Sequence, residues 1–387
     1  MAVFVNMRTE QSQWSAERGW VCSPPLEALA HSAQLVLLFG NPELFSPSGC
    51  RERIRKIYPN AHVFGCSTAG EIVGTHVTDE ALVLTAVAFE HTRLATAHVR
   101  FDGALKSFEA GELLARQLKP EGLRHVFMLC EGMKVNASEF VSGANSVLPA
   151  GITASGGFAA DGNRLHITRV WCDGEPEESA AVALGFYGER LLVGVGAVGG
   201  WEPYGPDRLI TKSKQNVLFE IDGRPALALY KQYLGRHAEG LPASGLMFPL
   251  ELQLGNAKTR VLRALLAVDE TNQSITYAGN VPEGAYARFT VGNSEGLIEK
   301  TQVAAKASTS IRGESFNAEL SVLVSCNGRR FVLKQRVEEE VEVVRDTLGG
   351  DTAFCGFYSY GEIAPAIVGG SSELHNETMT VTSFAEA

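Results

Sequence analysis

Residue types able to do chemistry concentrate in one short stretch, Val63-Phe64-Gly65-Cys66-Ser67-Thr68-Ala69-Gly70-Glu71-Ile72. Gly65 and Gly70 frame a thiol and two hydroxyls, and the Glu71 carboxylate comes directly after. Glycine lets a ligand or another segment approach the backbone closely. The short side chains of Cys66, Ser67 and Thr68 leave backbone N–H groups open to a bound molecule. Two chemistries fit. Cys66 could act as a nucleophile, with the loop N–H groups as an oxyanion site. The sequence places no general base beside it, and a packed or ligand-lining thiol is the plainer reading. Alternatively, the turn lines a binding cleft.

A second stretch echoes the first. Phe354-Cys355-Gly356-Phe357-Tyr358-Ser359-Tyr360-Gly361-Glu362-Ile363 again runs Gly, four residues, then Gly-Glu-Ile. One such turn in each half predicts two loops facing one cleft. Tyr358 and Tyr360 offer an apolar body with a polar tip, which suits pocket walls. Glu71 and Glu362 could then pair across the cleft as acceptors for a ligand ammonium, as an amino acid would need. Capping of a following turn is the bland alternative for both.

The elements that must position these residues are read from pattern. Pro25 to Ser32 reads as a helix capped by Ser23. Gln34 to Gly40 is a continuous apolar run, suited to a strand covered on both faces. Cys50 to Ile57 reads as a basic helix stopped by Tyr58-Pro59, and Ala61 to Phe64 as the strand entering the organising turn. Ala81 to Glu90 and Leu94 to Phe101 read as paired strands. Phe108 to Leu118 and Asn136 to Leu148 read as helices, with a buried strand at His125 to Cys130 between them. Ile152 to Gly162 reads as a small-residue loop without phosphate-loop spacing. Strands are expected at Arg164 to Val170, Ser179 to Tyr187 and Leu191 to Val198. Beyond a Gly/Pro cluster near 200 to 215, helices are expected at Ala226 to Leu234 and Ser294 to Ser308. Arg260 to Val268 and Ser274 to Ala278 read as a hairpin, and Glu319 to Ser325 as a buried strand. Phe331 to Val344 reads as helix, and the stretch from His375 to Phe384 as a closing strand. The predicted fold is α/β (α+β), with mixed β-sheets covered by helices and two related regions, residues 20–210 and 211–384.

Totals exclude several functions. The chain has 387 residues and a net charge of −10, so no basic stripe is available to neutralise nucleic-acid phosphates or an anionic membrane. No apolar run approaches a bilayer span. Met1 to Val5 shows no basic region ahead of an apolar core, which makes the cytoplasm the expected location. The seven cysteines, Cys22, Cys50, Cys66, Cys130, Cys172, Cys326 and Cys355, are scattered without CxxC spacing, a poor disulfide framework and a poor zinc site.

Taken together, these motifs resemble the FIST family. Gly65 to Ile72 is similar to the signature of its N-terminal domain, and Ser155-Gly156-Gly157-Phe158-Ala159 with Asp161-Gly162 to its later loop. The segment from Tyr230 to Leu234 resembles the start of the C-terminal region. Phe357 to Ile363, followed by His375-Asn376-Glu377-Thr378, resembles its end. The likeness spans about residues 20 to 384. It implies a non-enzymatic bacterial sensor of small ligands in signal transduction. Stand-alone members of similar length imply haem b as cofactor, nitric oxide as signal, and a sensor histidine kinase or cyclic-di-GMP enzyme as partner. A homodimer is among the assemblies left open. A haem needs an axial ligand, usually His in an apolar pocket. His237, beside Leu241-Pro242 and Leu246 to Pro249, is the first candidate and His375 the second. No CxxCH occurs, so covalent haem is excluded. If haem is not the ligand, a small metabolite such as an amino acid in the Gly65 to Ile72 cleft is the alternative, and an enzyme using Cys66 the further one.

Overall fold

The computed structural model describes residues 7–22, 28–45, 49–101, 105–255, 259–311, 313–367 and 369–387. It shows an α/β fold of mixed sheets covered by helices, as the sequence predicts. Three six-stranded sheets surround one apolar core. The first runs Val170–Cys172, His62–Ser67, Leu35–Gly40, Leu82–Ala88, Arg8–Ser15, Gly19–Cys22. The second runs Ser372–His375, Gly361–Pro365, Thr153–Phe158, Leu123–Cys130, Ala180–Tyr187, Arg93–Arg100. The third runs Leu191–Val198, Met379–Glu386, Leu320–Cys326, Ala353–Ser359, Glu71–Val73, His76–Thr78. A fourth, eight-stranded sheet is built from strands between Glu202 and Val291 around its own core, with the helix Ala226–Leu234 packed in it.

The period of two along each strand explains the layers. Leu35, Leu37 and Phe39 enter the shared core, while Val36 and Leu38 face the layer that includes Ile54 of the helix Cys50–Ile57. Phe127 and Leu129 enter the shared core, while Val126 and Met128 meet the helices Ser107–Arg116 and Ala137–Asn145. Val322 and Val324 do the same in the third sheet, with Leu323 turned to the helices Ser294–Ser308 and Val337–Leu348.

Each of the three sheets is built on one repeated unit. A buried strand is followed by helical chain and a parallel return strand: Leu35–Gly40 with His62–Ser67, Leu123–Cys130 with Thr153–Phe158, and Leu320–Cys326 with Ala353–Ser359. In each return strand one glycine faces a backbone carbonyl so closely that a Cβ would land on it. Gly65 meets Leu38, Gly156 meets Met128, and Gly356 meets Leu323. The third copy, around Gly156, joins the two that the sequence echo shows.

Every unit then hands its next strand to a neighbour. Glu71–Val73 leaves the first unit and pairs with Ala353–Ser359. Gly361–Pro365 leaves the third and pairs with Thr153–Phe158. Val170–Cys172 leaves the second and pairs with His62–Ser67. Three matching backbone hydrogen bonds close the ring where the chains cross. Ala69 N–H donates to the Tyr358 carbonyl at 2.8 Å, Tyr360 N–H to Phe158 at 3.1 Å, and Ala160 N–H to Ser67 at 2.9 Å. Donor and acceptor stand four and two residues past the close-packed glycine in every case. The second and third sheets therefore each draw strands from both sides of residue 210.

Several local expectations are corrected. Leu82–Ala88 and Arg93–Arg100 are both strands but do not pair. Each lies in a different sheet: Leu82–Ala88, buried along its length, sits between Leu35–Gly40 and Arg8–Ser15, and Arg93–Arg100 forms the edge of the second sheet beside Ala180–Tyr187. The stretch read as a small-residue loop contains the buried strand Thr153–Phe158, whose glycines allow close strand packing rather than a turn. The next strand begins at Val170, not at Arg164. Thr259–Arg263 pairs with Leu250–Leu254, leaving Leu265–Asp269 to pair with Ser274–Tyr277. The helix expected over Phe331 to Val344 is two, Asn327–Leu333 and Val337–Leu348, divided at Lys334, whose φ is 56°. Ser23 and Pro25 fall outside the described residues, and residues 28–32 form a turn.

Candidate functional site

A cavity of about 470 Å³ opens beside the ring of crossing loops. Its walls come from all three units: Thr68 to Glu71 with Asp79 and Glu80, Asp161 to Arg164, and Asn327, Arg330, Phe331 and Lys334. Asn41 and Leu246 complete it. It lies beyond the carboxyl ends of the parallel strands where the chain switches sheets, the usual place for ligands in open α/β folds.

Of the residues singled out from sequence, Thr68 and Glu71 line the cavity, and Gly70 joins them. Glu71 is 1 % exposed. Its carboxyl accepts the Thr68 hydroxyl at 2.6 Å and the Thr78 hydroxyl at 3.4 Å. Burial pushes this carboxyl up to about 8, and nearby Asp79 adds to the push. Glu71 thus carries a proton at neutral pH until a cation settles beside it.

The second turn meets the first through backbone: Tyr358 N–H donates to the Gly70 carbonyl at 2.9 Å. Its side chains nevertheless go elsewhere. Glu362 is fully buried behind the ring, accepting the Ser359 hydroxyl at 2.7 Å and the Thr378 hydroxyl at 2.8 Å. Burial holds it near 8 as well. Glu71 and Glu362 are therefore brought to one ring, but Glu362 does not line the cavity. Tyr358 lies beneath the wall, its hydroxyl donating to Glu340 at 2.6 Å, and Glu340 forms a sealed ion pair with Arg329 at 2.7 Å. The Tyr360 hydroxyl donates to Asp161 and to the Gly162 carbonyl.

Cys66 faces the shared core among Phe39 and Phe64 and is fully buried. Burial pushes its thiol well above the ordinary range, so it is neither a thiolate nor reachable from the cavity. Gly65 is pinned to Leu38, and the Ser67 hydroxyl accepts the Arg169 N–H at 2.9 Å.

Sequence reading missed the charged walls. Arg330 forms a two-pronged pair with Asp79, Nη1 to Oδ1 at 2.7 Å and Nη2 to Oδ2 at 3.0 Å. It also donates to the Ala69 carbonyl and lies over the Tyr358 ring, 5.0 Å from its centre. Asp161 accepts the backbone N–H groups of Leu165, His166 and Ile167 at 3.0, 2.7 and 2.8 Å. Burial opposes its charge, but the Tyr360 hydroxyl and those N–H groups outweigh it and hold the carboxyl below the usual range. The side chains of Lys334 and Glu80 line the cavity with no ion-pair or hydrogen-bond partner among the described residues. The one available signal was the Arg329-Arg330 pair in the first turn after the buried strand Leu320–Cys326, since a guanidinium there must find a partner.

The histidines lie apart from this cavity. His237 sits on the half-exposed turn Gly235–Gly240 with its ring tilted against Phe248, 5.3 Å between centres. His375 is buried with Nε2 on the Ala364 carbonyl, and His125 is buried between Thr153 and Ser155. None of the three lines this cavity or the second one, of similar size, beside the helix Cys50–Ile57. Among the described residues no group of three His, Cys, Asp or Glu could hold a metal ion, and no helix is long and apolar enough to cross a membrane.

Two family models match the chain. The FIST N domain model matches residues 34–224 and the FIST C domain model residues 226–365. FIST domains are in general non-catalytic sensory domains of signal transduction that bind small ligands. No curated protein matches the chain. Among solved structures, PurLQS from Thermotoga maritima is similar over 98 % of this chain and 72 % of its own, at 9 % identity and a TM-score of 0.19, below the likeness of a shared fold. The two domain models together span most of the sequence, and the chain belongs to the FIST family.

Proposed function

We propose that the protein is a cytoplasmic sensor whose ligand is a small zwitterion of the α-amino-acid class, bound in the cavity at the ring of crossing loops. The observation that carries this reading is the lining itself. Within about 470 Å³ it sets Glu71, Glu80, Asp79 and Asp161 against Arg164, Arg330 and Lys334, with Phe331 and Leu246 as apolar wall. A volume of that order suits a small metabolite. Paired charges of both signs suit a molecule that carries an ammonium and a carboxylate. Glu71 supplies the adjustable acceptor, since a bound ammonium favours its charged form. Occupancy would be passed to a separate signalling protein, a sensor histidine kinase or a cyclic-di-GMP enzyme.

Haem b with nitric oxide as signal finds less support in the geometry. The residues around His237 do not fit a haem: its ring leans on Phe248 at a half-exposed turn, and it lines neither of the two cavities described above. The test is equilibrium binding by calorimetry with the common amino acids, beside a haem titration read by absorption. Saturable binding of an amino acid that is lost in Glu71→Gln and kept in Glu362→Gln is the expected result. A sharp, stoichiometric Soret band that shifts on nitric oxide, with no amino acid bound, would overturn it.

A further inference from the structure

We propose that Arg330 is the carboxylate-binding group of this cavity, and that Asp79 is its intramolecular occupant, displaced by the ligand's own carboxylate. The inference rests on reading the cavity as the sensory site and adds which group takes the ligand's carboxylate and which residue gives way to it.

The guanidinium is built in advance. The Tyr358 ring supports one face at 5.0 Å, and the Ala69 carbonyl accepts one N–H. Gly70, at φ 136°, makes room: a Cβ there would press on Arg330 Nη1. What remains is a planar fork aimed into the cavity, the donor geometry that matches two carboxylate oxygens. The Arg330 side chain is only 21 % exposed.

The partner that fills the fork is of a different kind. The Asp79 side chain is 66 % exposed. It stands between the strands His76–Thr78 and Leu82–Ala88, ahead of Glu80, whose φ of 55° is unfavourable for a residue with a side chain. A carboxylate so exposed pairs weakly, because water and salt screen it. A fixed, well-supported guanidinium thus meets a loosely held carboxylate of its own chain, and a ligand carboxylate of the same shape competes for the same two N–H groups. Glu71, Asp161 and Glu80 then stand around the remainder of the cavity for the ammonium. Displacement also has a path outward. Val77 N–H donates to Glu338 at 3.1 Å, which ties the strand just before Asp79 to the helix Val337–Leu348.

The test is calorimetric titration of the whole protein and of Asp79→Asn with the amino acid that binds, and with its analogues lacking either the carboxylate or the amine. Asp79→Asn should tighten amino-acid binding by up to about fivefold, the factor an exposed ion pair is worth. Arg330→Lys, which keeps charge and stem but loses the fork, should weaken it, and the amine lacking a carboxylate should respond to neither change. Hydrogen exchange of residues 76–81 should rise on binding. Unchanged or weaker binding in Asp79→Asn, or unchanged binding in Arg330→Lys, while Glu71→Gln still abolishes it, would overturn this inference and leave the cavity as the ligand site. Absence of binding by every amino acid to both wild type and Asp79→Asn would remove the sensory reading together with it.

Discussion

The two Gly-Glu-Ile turns are close copies whose outcomes differ. In both, the carboxylate accepts a hydroxyl three residues upstream, Thr68 for Glu71 and Ser359 for Glu362. In both, it stands opposite a residue of a short antiparallel neighbour, Thr78 in one case and His375 in the other. In both, the second residue after that partner has a left-handed backbone, Glu80 at φ 55° and Glu377 at φ 58°. The divergence lies just beyond the hairpin. After Thr78 comes Asp79, which meets Arg330 at an open cavity. After His375 comes Asn376, and Asn376 and Glu377 are both sealed. Burial pushes the Glu377 carboxyl well above its ordinary range, and Glu362 beside it adds to the push. The turn therefore makes a sound acid-holding corner, and only at the first of the two do an arginine and an exposed aspartate stand over it.

Three sets of substitutions sharpen or break the comparison. The largest effect is expected at the shared glycines. Gly65→Ala, Gly156→Ala and Gly356→Ala each force a methyl onto a backbone carbonyl, which should cost about 3 kcal/mol or more by urea unfolding. If Gly156→Ala is tolerated while the others are not, the three units are not equivalent.

Next come the acids. The carboxyls of Glu71 and Glu362 rise from 4.5 to about 8 on folding. A group raised this way stabilises the fold fully below its unfolded value and loses that contribution as pH climbs to the folded value. Stability should therefore fall between about pH 4.5 and 8 and then level. Glu71→Gln and Glu362→Gln should each flatten the slope, as followed by thermal melts across that window. Added ligand should flatten it again through Glu71 alone, since that carboxyl alone of the two lines the cavity.

The smallest effect concerns the hydroxyls. Glu362 keeps a 2.8 Å bond to the Thr378 hydroxyl if Ser359 is removed, whereas Glu71 keeps a longer, 3.4 Å contact with the Thr78 hydroxyl, beside the backbone N–H of Ala81, if Thr68 is removed. Thr68→Val should cost about 1–2 kcal/mol and Ser359→Ala about 1 or less, measured by the urea midpoint. Equal costs would mean that the two corners are held alike.

Particular residues show what could be read in advance and what could not. The echo of Gly65 to Ile72 in Gly356 to Ile363 was legible because glycine, hydroxyl and acid recur at fixed spacing. The third copy was hidden. Val170 stands where the others carry glutamate, and a longer loop separates it from Gly156. Thr153–Phe158 looked like a turn because small residues serve both turns and tight strand packing. The helices Ala226–Leu234 and Ser294–Ser308 were read to the residue, since their caps and apolar spacing agree. Arg330 and Asp79 lie 251 positions apart. Each alone reads as a solvated charge, and only the exchanged strand brings them together.

That exchange also bears on how the chain is made. The first sheet needs nothing beyond Cys172, so it can close early in synthesis. The hairpin carrying Glu71, however, has its sheet partner in Ala353–Ser359, and Met379–Glu386 lies between Leu191–Val198 and Leu320–Cys326 in the same sheet. Until those late segments emerge, an apolar strand edge and one wall of the cavity stand unclosed, exposed to mispairing with other chains. The proposed ligand site is thus completed only after those segments emerge, and a ligand that binds it would act as a clasp that favours the closed arrangement.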